Sequence, residues 1–388
     1  MNAAGPRKVD RQASGPPVRY NPPMRITSVD LFKADIPLKD PFRIAVMEMR
    51  CAHSVFVRIN TDSGLCGWGE SSPFWKLCGE TQAIDLAAGA DLARFLRDRN
   101  PLEIEDRMAE LDGFLKHNSQ IRAAFDIALH DLLGRAAGLP VYRLLGGSPK
   151  PLRTCLTIAI GEAQAMADKA AAAVQRGFGI IKIKLGTNVR DDIRRVETIR
   201  AAIGPGPVLR VDANQGWDVP SATAVLGAIQ PLGVEYCEQP VPYWNLQALK
   251  AVRDRSPVPI VADEAVFDHH DAFKVLSADA ADYVNLKLSK SGGIRTAQKA
   301  AAVVDAAGKA CMIGCMMESR LGLTAAAHLA AAMNHFRFFD LDSAQLLAAD
   351  PIVGGMRYDK DQVVLDESPG LGAQPDLAFL EKCERITV

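Results

Sequence analysis

The sequence predicts an α/β barrel preceded by an α+β domain, and three observations carry that prediction. From Thr154 onward, short apolar runs alternate with amphipathic helical stretches. Eight such runs, from TCLTIAI to FRFFDLD, suffice to close a parallel sheet on itself. Seven of them end in or beside a residue able to do chemistry: Lys184, Asp212, Glu238, Asp263, Lys287, Cys315 and Asp340. The intervals are 28, 26, 25, 24, 28 and 25 residues, about one strand, one covering helix and two loops each. Polar residues recurring at the carboxyl ends of buried strands are how such a barrel builds a site.

Length and charge bound the rest. A chain of 388 residues fits two domains, or a barrel with an appendage, and is long enough to bury a large core. A net charge of −1 without a like-charge block argues against nucleic acid and for a small-molecule partner. No apolar run approaches the roughly 18–20 residues of a membrane span. The eight cysteines are scattered, and Cys311 and Cys315 lack zinc-site spacing, so reduced thiols in the cytoplasm are expected. Residues 1–23, rich in Pro, Gly and Arg and without an apolar signal core, are expected to form a disordered extension before Met24.

Within 24–150, strand alternation comes first (MRITSVDLFKADIPL, then HSVFVRIN-TDSG-LCGWGES with a hairpin turn). Helical periodicity follows in TQAIDLAAGADLARFLRD, LEIEDRMAELDGFL and SQIRAAFDIALHDLLGRAAG, the last stopped by Gly138 and Pro140. Strands followed by helices without alternation specify α+β. The pattern changes at GGSPKP, and the barrel is assigned to 151–353. Its strands are near-continuous apolar runs, as expected of a parallel sheet covered on both faces. Residues 354–388 read as loop and short strand, expected to pack back on the first domain. No G-x-G-x-x-G follows a strand, which disfavours a dinucleotide fold.

Asp212, Glu238 and Asp263 end three consecutive strands, where they would repel one another unless a cation sat between them. Each alone could be a helix cap; as a trio without nearby His they favour Mg²⁺. Asn214 and Glu264 lie one or two residues on, suited to supporting such ligands, and Lys290 to neutralising them. Lys182 and Lys184 share one strand face, which here points into the barrel, and each should lower the other's pKa. Lys287 ends a strand further round, so that Lys184 and Lys287 would face each other across the mouth. A divalent metal between opposed lysines suits removal of a proton α to a carboxylate, with return from the other face.

On these segments (KxK, DAN, ExP, ADE, KxxKxGG) the chain from Met24 resembles the enolase superfamily, in its muconate-cycloisomerase-like subgroup. The resemblance implies a modified TIM barrel, (β/α)7β, under an α+β capping domain, and one Mg²⁺ per subunit. GCMMES and FDLD are similar to the dipeptide epimerases. That likeness implies that Lys184 and Lys287 are acid/base catalysts and that Lys182 binds the substrate carboxylate. It also implies that Asp340 and Asp342 hold the α-ammonium of an L-Ala-X dipeptide, and that Thr157 and Cys315 touch substrate. In the cap segment PFRIAVMEMR the position matching the arginine of Ala-Glu epimerases is Met47, which with Phe74, Trp75 and Leu77 implies that X is not Glu. An isomerase working through an enediolate on a dipeptide or N-substituted amino acid is thus expected, and a homo-oligomer with it. The alternative is a lyase or cycloisomerase on the same site: muconate cycloisomerase, o-succinylbenzoate synthase or hydroxyproline dehydratase. A barrel that binds without turnover would have lost a lysine or a carboxylate, and none is missing.

Overall fold

The computed structural model describes residues 24–388; the extension expected over 1–23 lies outside the described residues. Three antiparallel strands open the cap: β1 (Ile26–Ile44), β2 (Met47–Thr61) and β3 (Cys66–Ser71). Helices α1 (Gln82–Leu96), α2 (Ile104–Phe114) and α3 (Ser119–Ala137) cover one face of this sheet. Alternation seats Val29, Leu31, Val55, Val57 and Ile59 against Leu92, Leu96, Ile121 and Phe125, all buried. Gly67 and Gly69 make this packing possible. A Cβ on Gly69 would fall 1.9 Å from the carbonyl oxygen of Ala124 on α3.

Eight parallel strands form the second sheet in sequence order. They are β4 (Leu156–Ile158), β5 (Ile180–Lys184), β6 (Val208–Asp212), β7 (Val234–Glu238), β8 (Ile260–Ala262), β9 (Tyr283–Leu286), β10 (Ala310–Ile313) and β11 (Phe336–Phe339). A parallel bridge between Thr154 and Phe339 joins the last strand to the chain entering the first and closes the barrel. The intervening helices are α4 (Ala163–Gln175), α5 (Val189–Ile203), α6 (Val219–Ile229), α7 (Leu246–Arg253), α8 (His269–Ser277), α9 (Ile294–Ala306) and α10 (Arg320–Ala332). Side chains of Asn188, Asp218, Asn245, Asp268 and Ser319 accept the first free N–H groups of α5, α6, α7, α8 and α10. Seven helices between eight strands give a (β/α)7β barrel.

The tail divides its contacts. A final strand, β12 (Glu384–Thr387), pairs with β1 of the cap. Gln362 and Val363 pair instead with Arg153 and Leu152, ahead of the first barrel strand.

Inside the barrel the odd and even positions of β5 part company. Ile181 and Ile183 join the helix-facing core, while Lys182 and Lys184 contact carboxylates from other barrel strands. Tyr236, Val261, Met312 and Phe338 fill the barrel floor, and Arg210 lies 5.3 Å from the Tyr236 and Phe338 ring centres. This plug makes the barrel a packed core open only at its carboxyl end. No helix of the described residues is long and apolar enough to cross a membrane.

Candidate active site

Strand register sets the first tier of the site. Lys184 pairs across to Asp212, and Asp212 to Glu238, so three charged side chains stand level on neighbouring strands. Asp263 follows directly after β8, and Lys287 directly after β9. All five are buried. Lys184 donates to Asp212 at 2.6 Å and Lys287 to Asp263 at 2.6 Å. Lys290 lies 2.7 Å from Asp263 and donates to the Asn285 carbonyl at 2.9 Å.

Lys182 differs from the expectation. Its ammonium lies 2.7 Å from Glu238, 2.7 Å from Asp340 and 3.3 Å from Asp212, and it is 1% exposed. Burial alone would lower its pKa, but these three carboxylates outweigh burial and hold it well above the ordinary lysine range. The neighbouring lysine therefore does not lower it, because the acids lie closer. Burial likewise opposes charge on Lys287, yet Asp263 and Glu238 hold it high.

The acids show the converse. Asp263 is held well below its usual range, against burial, by Lys287 and Lys290. Glu238 is pushed up to about 7 by burial and Asp212, and Glu264 to about 8 by burial and Asp263. Carboxyls raised in this way mark a site short of positive charge. Among the described residues Lys182, Lys184, Lys287 and Lys290 form ion pairs with Asp212, Glu238, Asp263 and Asp340, while Glu264 and Asp342 have no ion-pair partner. Asn214 Oδ1 and Glu264 Oε2 are buried without a hydrogen-bond partner among the described residues. Glu238 Oε2 and Asp263 Oδ1 have only a lysine ammonium at 2.7 Å, out of hydrogen-bond alignment. Uncommitted carboxylate oxygens beside an excess of negative charge fit a hard divalent cation.

Backbone strain gathers here. Asn214, Gln215 and Gln239 all adopt positive φ, at 40°, 69° and 35°, just past the ends of β6 and β7. Gly186 takes φ 99° in the loop after Lys184, where a Cβ would meet the Ala213 carbonyl at 2.3 Å. These turns press the loops of β5, β6 and β7 together at the mouth.

At the closing seam, Asp342 accepts from the Thr157 amide at 2.5 Å, and Asp340 from the Cys155 thiol at 3.2 Å. Burial and Asp340 raise Asp342 to about 7. Burial, then Asp340 and Asp342, push the Cys315 thiol far up, which removes it as a nucleophile.

A cavity opens between barrel and cap. Thr157, Lys184, Asn214, Lys287, Cys315, Asp340 and Asp342 line it from the barrel side, and Phe42, Ile44, Met49, Phe74 and Trp75 from the cap. Lys182 and Met47 do not line it. Met47 begins β2 just past the hairpin turn and packs against the core, and Met49 takes the wall position two residues on. Leu77 lines a different cleft.

Two contributors escaped the sequence. Asn285, two residues before Lys287 on the same strand face, donates to Glu238 at 2.9 Å. Gln239 accepts from the amides of Asp263 and Ala265 at 3.0 and 3.2 Å, tying the ends of β7 and β8 together. The inward alternation of N-x-K could have shown the first; nothing local shows the second.

A capping α+β domain over a (β/α)7β barrel, with carboxylates and lysines at the strand ends, defines the class: enolase-superfamily barrel enzymes. Residues 26–146 match the model of the mandelate racemase / muconate lactonizing enzyme N-terminal domain, and residues 165–379 that of the enolase C-terminal domain-like family. The chain belongs to this family, on its racemase/epimerase side: it is an isomerase. An L-Ala-D/L-Glu epimerase from Clostridium acetobutylicum is 39% identical, covering 90% of this chain and 99% of its own. A hydrophobic dipeptide epimerase from Enterococcus faecalis is 39% identical, with the same two coverages. A dipeptide epimerase from Cytophaga hutchinsonii, solved with Mg and D-Ala-L-Val, superposes with a TM-score of 0.92 at 38% identity. That alignment covers 94% of this chain and all of the other.

Proposed function

We propose that this protein is a Mg²⁺-dependent dipeptide epimerase that inverts the α-carbon of the second residue of an L-Ala-X-type dipeptide, with X apolar rather than Glu. The observation that carries the reading is one cavity onto which Lys184 and Lys287 both open, with Asp340 and Asp342 in its wall. Asp212, Glu238 and Asp263 would hold one Mg²⁺ per subunit, supplying charge stabilisation to a substrate carboxylate that gains a second negative charge. Lys184 and Lys287 each end on a carboxylate, Asp212 and Asp263, that a bound cation would draw away from it, freeing the amine to take or return the α-proton. Asp340 and Asp342 suit the α-ammonium, because paired acids give a cation charge-assisted hydrogen bonds. Lys182, locked between Glu238 and Asp340, serves to hold those acids in place. On the cap side Phe42, Ile44, Met49, Phe74 and Trp75 make an apolar wall, and none of the cap residues lining the cavity is an arginine or lysine that would pair with a glutamate side chain. The relatives named above, including one acting on hydrophobic dipeptides, support this reading.

Incubation of L-Ala-L-X pools with the Mg²⁺-loaded protein in D₂O, read by mass spectrometry, tests it. One deuterium per molecule is expected in apolar X members, with slower or no exchange in L-Ala-L-Glu. No exchange in any dipeptide, with ring closure or dehydration of a non-amino acid instead, would establish the lyase or cycloisomerase alternative.

A further inference from the structure

Outside the barrel, one group of mixed donors is already assembled. Asp35 on β1 pairs directly across to His53 on β2, and Cys51 lies two residues before His53 on the same strand face. His53 Nδ1 and Asp35 Oδ1 are 2.6 Å apart. One ligand atom from each of Asp35, Cys51 and His53 lies within 4.8 Å of the other two. Asp35 Oδ1 also accepts from Gln82 at 3.1 Å, and Oδ2 has no hydrogen-bond partner among the described residues. The three stand on regular paired strands, so little ordering is needed to bring them onto an ion. Thiolate, imidazole and carboxylate together are a soft-to-borderline set, unlike the all-oxygen set of the barrel. Asp35 and His53 are half-exposed, which leaves a route in and a position for water.

We propose that Asp35, Cys51 and His53 form a second metal site, taking a thiophilic divalent ion such as Zn²⁺. Its placement gives it a consequence. Cys51 and His53 both line the cavity shared by Lys184 and Lys287, on the cap side. An ion held there pins the β1–β2 hairpin and sets a hydrated, polar centre in the wall beside Phe42, Ile44 and Met49. Occupancy therefore disfavours apolar substrates.

Cobalt(II) tests the site directly, with the barrel saturated by excess Mg²⁺. Cobalt held by a thiolate gives a strong near-ultraviolet charge-transfer band that an oxygen-only site cannot give. The band is expected in the wild-type protein and in Cys315→Ser, and absent in Cys51→Ser. In His53→Ala the cobalt Kd should rise at least about tenfold. Absence of the band in the wild type, or its persistence in Cys51→Ser, overturns the site. A second arm compares dipeptide turnover with and without Zn²⁺ in excess Mg²⁺, and this arm alone rests on the epimerase reading. Zn²⁺ should inhibit the wild type and leave the Cys51→Ser rate ratio near one; equal inhibition of both would overturn the link to the cavity. The cobalt band needs no turnover, so failure of the epimerase reading leaves it standing.

Discussion

Lys182 and Lys184 share one strand face, yet one is enclosed by three carboxylates and the other opens on the cavity. Their spacing was readable from the sequence; their surroundings were not, because Asp340 is 158 residues away from Lys182. His328 shows a similar divide. An apolar helical face predicts a core histidine, but only the fold shows what holds it. Its Nδ1 accepts from the Tyr142 amide at 3.2 Å, its Nε2 faces the Leu371 carbonyl at 3.3 Å, and its ring stacks on Tyr142. Protonation would set an N–H against the Tyr142 N–H. Burial accordingly lowers the His328 pKa to about 4. A histidine depressed in the folded state contributes stability that is present above the unfolded value near 6.5 and is lost as pH falls from there through 4. The loss at the bottom of that window is about 3 kcal/mol. Denaturant titrations at fixed Mg²⁺ between pH 7 and 4 should show a drop in unfolding free energy larger in the wild type than in His328→Asn by roughly that amount. Parallel pH curves for the two proteins would remove the role.

At the scale of elements, the strand-and-helix rhythm was legible because each barrel unit repeats at a nearly fixed length. The joint between cap and barrel was not. Glu70, at the end of β3, is fully buried and reaches across to the start of α10. It accepts from the Ser319 amide at 2.9 Å, the Ser319 hydroxyl at 2.6 Å and the Gly322 amide at 2.9 Å, as well as the Ser54 hydroxyl at 2.8 Å. A carboxylate at a helix N-terminus is a favourable partner, yet no sequence pattern links residues about 250 positions apart. Asp126 does the same from α3, accepting from the Ile294 amide at the start of α9. Glu70→Ala strands four buried donors, and should cost about 2–4 kcal/mol while Glu70→Gln costs less. Thermal melts of the three proteins decide this; an Ala variant melting with the wild type would show that the joint does not depend on Glu70.

For the molecule as a whole, the two domains divide the work. The barrel presents lysines and acids at one mouth, a placement readable from strand-end spacing alone. The cap supplies the apolar wall, and here sequence reasoning was off by one strand alternation, choosing Met47 where Met49 lines the cavity. A hairpin between β1 and β2 with a register shift between Pro37 and Phe42 makes such an offset hard to foresee. The central claim is that Lys184 and Lys287 act on opposite faces of one α-carbon. Its most direct test is stereospecific exchange: Mg²⁺-loaded Lys184→Ala and Lys287→Ala, each incubated in D₂O with one stereoisomer of the substrate at a time. Neither variant should interconvert the isomers, losing at least about 10²-fold in rate. Any α-deuterium that remains should enter only one isomer with Lys184→Ala and only the other with Lys287→Ala. Epimerisation near the wild-type rate in either variant, or exchange of both isomers by the same variant, would contradict the two-lysine account.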